Sequence, residues 1–438
     1  VTSPAVAETL AVLSRLDGGR FEEVEVYAKR GRSRRLERRD GRSHSTTSKE
    51  QGWAVRAGDP RGSFFAAGEG PPRPDAIWPE ADGRPLRLPA PVVAPPWKEP
   101  SDFDAPLIGE AEGHTLLEAI SRALKEELGS ARLMHAALED GAFEVEIASR
   151  RNVAARHRGR LAALRLEARD REKPEIRAEL YLAEREARRF EPGSLARRLA
   201  DLLTVQRLGR PRQRDRGELL LAPPVMIRML EGLLPLFVGP AAGRRAAEMS
   251  SRRGRLGSEA LTVLDDGRLA GGVLEAPVDG EGVATREVII ADRGKFRQAL
   301  VPWWQGQEGQ ARPIGCSRRP GWRDLPRAGA THLYLRPRPN VRASELLQEV
   351  ARGYYLLDAT GQGQFEFDED SFQLPVCGFE VRGGRATSPV TGTHLCGSIT
   401  AFLHGLQGVA RDLQLLPFGA MIGSPSALLT GLELRGPA

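Results

Sequence analysis

Lysine, cysteine and histidine are scarce in this chain of 438 residues, and long apolar runs are missing altogether. No stretch approaches the roughly 18 uninterrupted apolar residues of a membrane span, and the N-terminus lacks the basic, apolar and small-residue succession of a signal peptide. The expected address is therefore the cytoplasm, with no membrane partner. Cys316, Cys377 and Cys396 are odd in number, widely spaced and outside any C-x-x-C pair, which argues against a disulfide framework or a zinc knuckle and for buried thiols. Lysine stands at only six positions, so the net charge of +6 is carried by arginine. Such a skew reads as codon bias rather than as a nucleic-acid signature. The one concentrated basic stretch, Lys29 to Arg39 (KRGRSRRLERR), has Tyr27 as its only nearby ring before Trp53. Single-strand binders need several stacking platforms, so nucleic acid is disfavoured as a partner and a solvated strand face is expected. The chain also lacks G-x-x-x-x-G-K-[ST], G-x-G-x-x-G and H-E-x-x-H, which removes the commonest phosphate-binding and zinc-hydrolase signatures.

What is present is a globular composition, 40% apolar, long enough for two or three ordinary cores. Residues 4 to 16 carry apolar side chains at helical spacing, and Phe21 to Ala28 (FEEVEVYA) then alternates with period two. Short alternating runs at Arg34 to Arg38, Gly52 to Arg56 and Ser63 to Ala67 suggest an antiparallel meander. A proline-rich connector over 69–100 follows and should lie extended. After a helix at His114 to Leu128, Ala142 to Arg150 (AFEVEIASR) echoes FEEVEVYAKR, which points to an internal duplication. Helices are expected at Ser194 to Leu208, Pro224 to Phe237, Ser344 to Gly353 with a serine cap, and Leu395 to Leu413. Strands are expected at Gly378 to Val390 and Ser426 to Leu434. The class is α+β: an N-terminal α/β domain over 1–215 made of two similar halves, then a domain over 216–438 rich in antiparallel sheet.

Chemistry has few places to reside. His394 and Cys396, with His404 if the intervening segment turned back, offer soft-metal ligands, but their spacing fits no known zinc pattern. Ser398, His404 and Asp412 have the residue types of a hydrolytic triad without a nucleophile elbow around the serine. Glu366 to Asp370 (EFDED) lacks the alternating ligands and turn glycine of a calcium loop. Asp279 to Val283 (DGEGV) puts two carboxylates around two glycines, as either a peptide or partner contact or an ordinary hairpin turn.

Taken in order, these landmarks resemble the TldD/PmbA family, the modulators of gyrase. DGEGV resembles the family's D-x-E-G-V turn, Arg293-Gly294-Lys295 to Leu300 its G-x-L-x-x-x-L segment, and Gly315 with Arg318 a degraded T-G-N-x-x-R. Gly378 to Val390 resembles its G-F-x-I-E-x-G strand and turn, and Gly397 to Asp412 its G-N-x-x-D-x-L helix. Gln51 to Gly68 and Arg151-Asn152-Val153 are similar to landmarks in the family's first half.

TldD-type members carry H-E-x-x-x-H on a helix that holds zinc, with a cysteine further on. In this chain Leu230-Glu231-Gly232-Leu233-Leu234-Pro235 occupies that place, so Leu230 and Pro235 stand where histidines are expected and Glu231 has no metal-bound water to activate. Leu413 to Ser426 supplies no distal cysteine. The resemblance therefore implies a TldE/PmbA-type chain with no catalytic or metal-binding residue and no cofactor of its own. It would be a subunit of a TldD/TldE metallopeptidase, pairing with a zinc-bearing TldD-type subunit to enclose an extended peptide substrate or peptide natural-product precursor. Asp279, Glu281, Gly282, Gly397 and Ser398 are the residues it offers for peptide or partner contact, and Trp303, Trp304 and the Phe64-Phe65 pair are candidate aromatic anchors or, equally, core packing residues. The alternative is a homodimeric peptide- or nucleic-acid-binding module without protease activity, and self-association of the lone chain is left open.

Overall fold

The computed structural model describes residues 21–59, 62–69, 86–90, 103–151, 153–251, 253–306 and 314–436. The helix expected at 4–16, most of the proline-rich connector and Asn152 lie outside the described residues. Six antiparallel strands form the first sheet: β1 (Glu23–Arg39), β2 (Arg42–Asp59), β3 (Gly62–Gly68), β4 (Ala131–Ser149), β5 (Ala154–Asp170) and β6 (Arg177–Glu184). Their order, β3-β2-β1-β4-β5-β6, is two three-stranded meanders set back to back. The echoing segments meet at the seam, where Val26 pairs with Ala148 and Tyr27 with Ile147. The two echoing segments are thus antiparallel neighbours in one sheet.

The strands are far longer than the short runs expected from alternation. Arg34 to Arg38 continues the same strand that begins at Glu23, and the chain turns only at Asp40-Gly41, both with positive φ. The pattern fades beyond Lys29 because the strand end is stitched by charge rather than by apolar burial. Arg30 pairs with Glu144, and Arg34 donates to the Ile108 carbonyl at 2.7 Å. The basic run is accordingly a central strand whose arginines are largely engaged within the chain.

Two helices cover one face of this sheet. α1 (Glu110–Glu127) buries Leu117, Ile120 and Leu124 at helical spacing, with Glu110 and Glu112 in its first turn and Lys125 in its last, each sign opposing the local end of the helix dipole. α2 (Pro192–Leu208) opens with proline and buries Leu195, Leu199 and Leu203. Their shared core includes Leu36, Leu138, Leu164 and Leu166 of the sheet, and also Cys377 from the second half of the chain.

The second half holds two further large sheets and a two-stranded one, Ser317–Arg318 with Arg327–Ala328. One large sheet is centred on the antiparallel strands Arg352–Ala359, Ser371–Arg382 and Arg385–Gly397, with Glu218–Leu221 added parallel. The other runs through Val263–Asp266, His332–Leu335 and Met421–Ser424. Between them lies α3 (Pro223–Gly232), continued by a 3₁₀ turn at Leu234–Leu236 in place of the single helix expected to Phe237. Proline at 235 lacks the N–H that a longer α-helix would need there. Leu395 to Leu413 is not one helix either: a strand ends at Gly397, a short helix spans Ile399–Gly405, and Leu406–Val409 is a strand paired with Ala427–Leu429. Tertiary pairing overrides the apolar spacing there. In the Ser344 region the helix spans Ala343–Glu349, so Ser344 lies inside it rather than capping it, and Gly353 belongs to the following strand. Cys316, Cys377 and Cys396 are free and buried. No helix among the described residues is long and apolar enough to cross a membrane.

Candidate functional site

A concavity of about 720 Å³ lies where the first sheet meets α3 and the strand end at Asp358. The sheet contributes Glu139, Arg165 and Tyr181, α2 contributes Arg198, and Phe418 closes the opposite side. Its charges are mostly matched. Arg165 pairs with Glu179 at 3.5 Å, His135 with Glu37 at 2.8 Å, and Arg35 with Glu37 at 3.6 Å. Tyr181 meets the Phe418 ring edge-on, and the Arg228 guanidinium stacks 3.8 Å from the centre of that ring.

The helix in which the resemblance placed a metal motif, α3, forms one wall. Leu230 points into the hydrophobic core and is 1% exposed. Glu231 lines the cavity but is bound to Arg228 at 2.9 Å, one helical turn back. Pro235 lies in the 3₁₀ turn beyond. An aliphatic side chain in the core, a proline and an arginine-bound carboxylate do not fit a zinc ion, so no chemical step is drawn through a metal at this place. Among the described residues no three His, Cys, Asp or Glu side chains come together in a metal-holding arrangement.

The DGEGV turn lies at the junction of the two halves of the chain. Asp279 is consumed in shaping the turn: one carboxylate oxygen accepts from the Glu281 and Val283 amides at 2.9 and 3.0 Å, and the other from the Ser317 amide at 2.9 Å. Gly282 has φ of +77°, and a Cβ there would stand 2.5 Å from Val153. Glu281, 1% exposed, reaches Arg56 of β2 at 3.4 Å. Arg56 in turn holds Glu25 through two bonds of 3.0 and 2.6 Å, and Arg319 joins Glu25 from the other side while donating to the Gly280 carbonyl at 2.8 Å. Burial works against the Glu25 charge, yet the two guanidiniums overcome it and hold its carboxyl below the usual range. At Glu281 burial prevails over the pull of Arg56, helped by the charges of Asp279 and Glu25, and the carboxyl is pushed up to about 7. The residues offered for peptide or partner contact are thus, as folded, a buried joint within the chain.

Gly397 and Ser398 lie at a second junction. Gly397 packs against Leu432, where a Cβ would come within 2.6 Å of a methyl carbon, and the Ser398 hydroxyl accepts from the Ala401 amide at 2.9 Å as the cap of its short helix. Asp412 binds the Ser426 amide and hydroxyl at 2.9 and 2.7 Å. Ser398 and Asp412 therefore have structural partners other than His404, and no triad is assembled. Cys396 contacts the His394 carbonyl rather than its ring, at 3.7 Å. In the EFDED turn, Asp370 accepts from the Thr400 amide at 2.9 Å, tying the turn to that same helix. Of the proposed aromatic anchors, Trp303 donates to the Arg87 carbonyl at 3.0 Å and Trp304 to the Pro326 carbonyl at 2.8 Å, while Phe64 packs edge-on against Phe21.

Sequence reasoning passed over Arg198, Arg228 and Asp358. The available signal was a carboxylate ending the apolar strand YYLLD and an arginine inside the amphipathic pattern of α2, charges placed where the periodicity asks for burial.

Residues 215–436 match the family model described as the PmbA/TldA metallopeptidase C-terminal domain. The chain belongs to the PmbA/TldD family of metallopeptidase-related proteins. It is 24% identical over 201 residues to a metalloprotease TldD homolog of Buchnera aphidicola, covering 42% of this chain and 40% of that protein. A metalloprotease of Methanocaldococcus jannaschii is 26% identical over 162 residues, 37% of this chain and 35% of its own. The matches span about two fifths or less of these relatives' lengths. The crystal structure of TldE from Thermococcus kodakarensis superposes with a TM-score of 0.85 over 99% of this chain and 100% of that one, at 16% identity, which is a likeness of fold.

Proposed function

We propose that this chain is the non-catalytic, TldE-type subunit of a two-chain metallopeptidase acting on unfolded peptides or peptide natural-product precursors. The observation that carries the reading is α3, where Leu230 is core, Pro235 ends the helix, and Glu231 is bound to Arg228 instead of facing a metal. The zinc would belong to a TldD-type partner, and this chain would contribute one wall of the peptide chamber. The fold likeness to a TldE supports this reading, and the sequence likeness to TldD homologs supports the family. The nucleic-acid alternative loses support because Arg30 and Arg34 of the basic run are held by Glu144 and the Ile108 carbonyl.

Metal analysis and peptidase assays test the reading. The purified chain is expected to hold no stoichiometric zinc, to cleave nothing alone, and to co-purify with a TldD-type chain whose zinc-dependent cleavage it supports. Stoichiometric zinc with chelator-sensitive cleavage by the lone chain would overturn it.

A further inference from the structure

We propose that the cavity between the first sheet and α3 binds the C-terminal carboxylate of a short peptide, with Arg198 as its anchor. The substrate class rests on the peptidase-subunit reading above; the anchor rests on the charge pattern of the cavity. Arg198 projects from α2, is half-buried, and makes no hydrogen bond or ion pair among the described residues. Arg177, which also lines the cavity, is exposed to solvent, and the remaining arginines of the wall differ from Arg198. Arg35, Arg165 and Arg228 each have a carboxylate, from Glu37, Glu179 and Glu231. A half-buried guanidinium that faces the cavity without a bonded carboxylate is free to receive one, and its planar fork of donors matches a carboxylate in the bidentate manner.

Asp358, beside it in the cavity wall, acts on Arg198 through space without bonding to it, and one of its oxygens accepts from the Ala359 amide at 2.8 Å. Burial raises the Asp358 carboxyl to about 6, against the pull of Arg198 and Arg228, so it takes up a proton more readily than an ordinary aspartate when a second carboxylate arrives. The remaining wall suits the rest of a peptide. Tyr181 and Phe418 present a ring pair to an apolar side chain, and about 720 Å³ is within the range of sites that enclose small ligands.

The test is calorimetric titration of the full chain with alanyl-alanyl-phenylalanine, as the free acid and as the C-terminal amide. The free acid is expected to bind at least about tenfold more tightly than the amide. Arg198→Gln should abolish that preference, and Arg198→Lys should restore part of it, with thermal melting confirming that both variants fold. Equal binding of acid and amide, binding of neither, or a preference that survives in Arg198→Gln would overturn the anchor. Those results leave the subunit reading standing, because that reading falls on zinc content and unaided cleavage instead.

Discussion

Glu281→Gln should stabilise this protein in alkaline solution and leave it unchanged in acid. The Glu281 carboxyl titrates at 4.5 in an ordinary environment and at about 7 in the fold, where burial outweighs Arg56 and the neighbouring Asp279 and Glu25 add repulsion. Between those values the folded chain keeps a proton that the unfolded chain has released. Stability therefore declines as pH rises from 4.5 through 7 and is level above it. At about 1.4 kcal/mol per pH unit, the whole decline attributable to this group is on the order of 3 kcal/mol. Glutamine mimics the protonated acid in size and hydrogen bonding while removing the charge. In paired urea titrations the variant should match the parent near pH 4.5 and exceed it by roughly 3 kcal/mol at about pH 8. Glu25, whose carboxyl is lowered, contributes in the opposite sense, being stabilising when ionised and losing that contribution in acid. It is present in both proteins and drops out of the difference. A variant equal to or weaker than the parent at pH 8 would show that Arg56 more than repays the buried charge, and the reasoning would fail.

Arg56→Met leaves Glu25 and Glu281 with only Arg319 between them, so a loss of about 3–5 kcal/mol at neutral pH is expected in the same titration; a loss below about 1 kcal/mol would mean that water reaches the joint. Gly282→Ala meets both a positive φ and Val153, and a cost of about 1–3 kcal/mol should appear as a lowered Tm. Ser398→Ala removes a helix cap worth about 1 kcal/mol while leaving peptide cleavage by the proposed two-chain complex unchanged. Abolished cleavage in a folded Ser398→Ala complex would revive the nucleophile reading. Leu230→Ala opens a hole in the core and should cost about 2–5 kcal/mol by chemical denaturation, without altering zinc content.

What was legible in sequence was pattern enforced by burial. The VEV and VEI echoes lie at the seam of a sheet whose two faces are both covered there, and their strand periodicity is the part that burial enforces. Alternation alone marks the outer half of β1 as a separate short strand and only Gly52 to Arg56 of β2, because ion pairs and a neighbouring strand on each side, not apolar side chains, sustain β1 beyond Lys29. Residues 395–413 failed for the opposite reason: helical spacing was present, but Leu406–Val409 gains more by pairing with Ala427–Leu429 than by extending the helix. The DGEGV turn was visible as a special turn, yet its direction was not. Whether Glu281 faced solvent or Arg56 depended on a contact between residues 225 positions apart, which local pattern does not encode.

The same limit explains why the charge balance of the cavity had to come from the structure. In a metal-bearing arrangement, the acid next to the first ligand position on this helix would be kept clear of other cations so that it could act on a bound water. Here Arg228, three residues before Glu231 on the same helix, claims that carboxylate and is itself fixed against Phe418. Restoring histidines at 230 and 235 would therefore be insufficient to rebuild a working base, because Glu231 would remain ion-paired and 230 faces the core. Arg228 and Glu231 neutralise each other on one wall, which leaves Arg198 as the half-buried cavity arginine without a bonded carboxylate, Arg177 being exposed. The poor fit of α3 to a metal and the carboxylate site proposed on α2 thus draw on the same arrangement of charge.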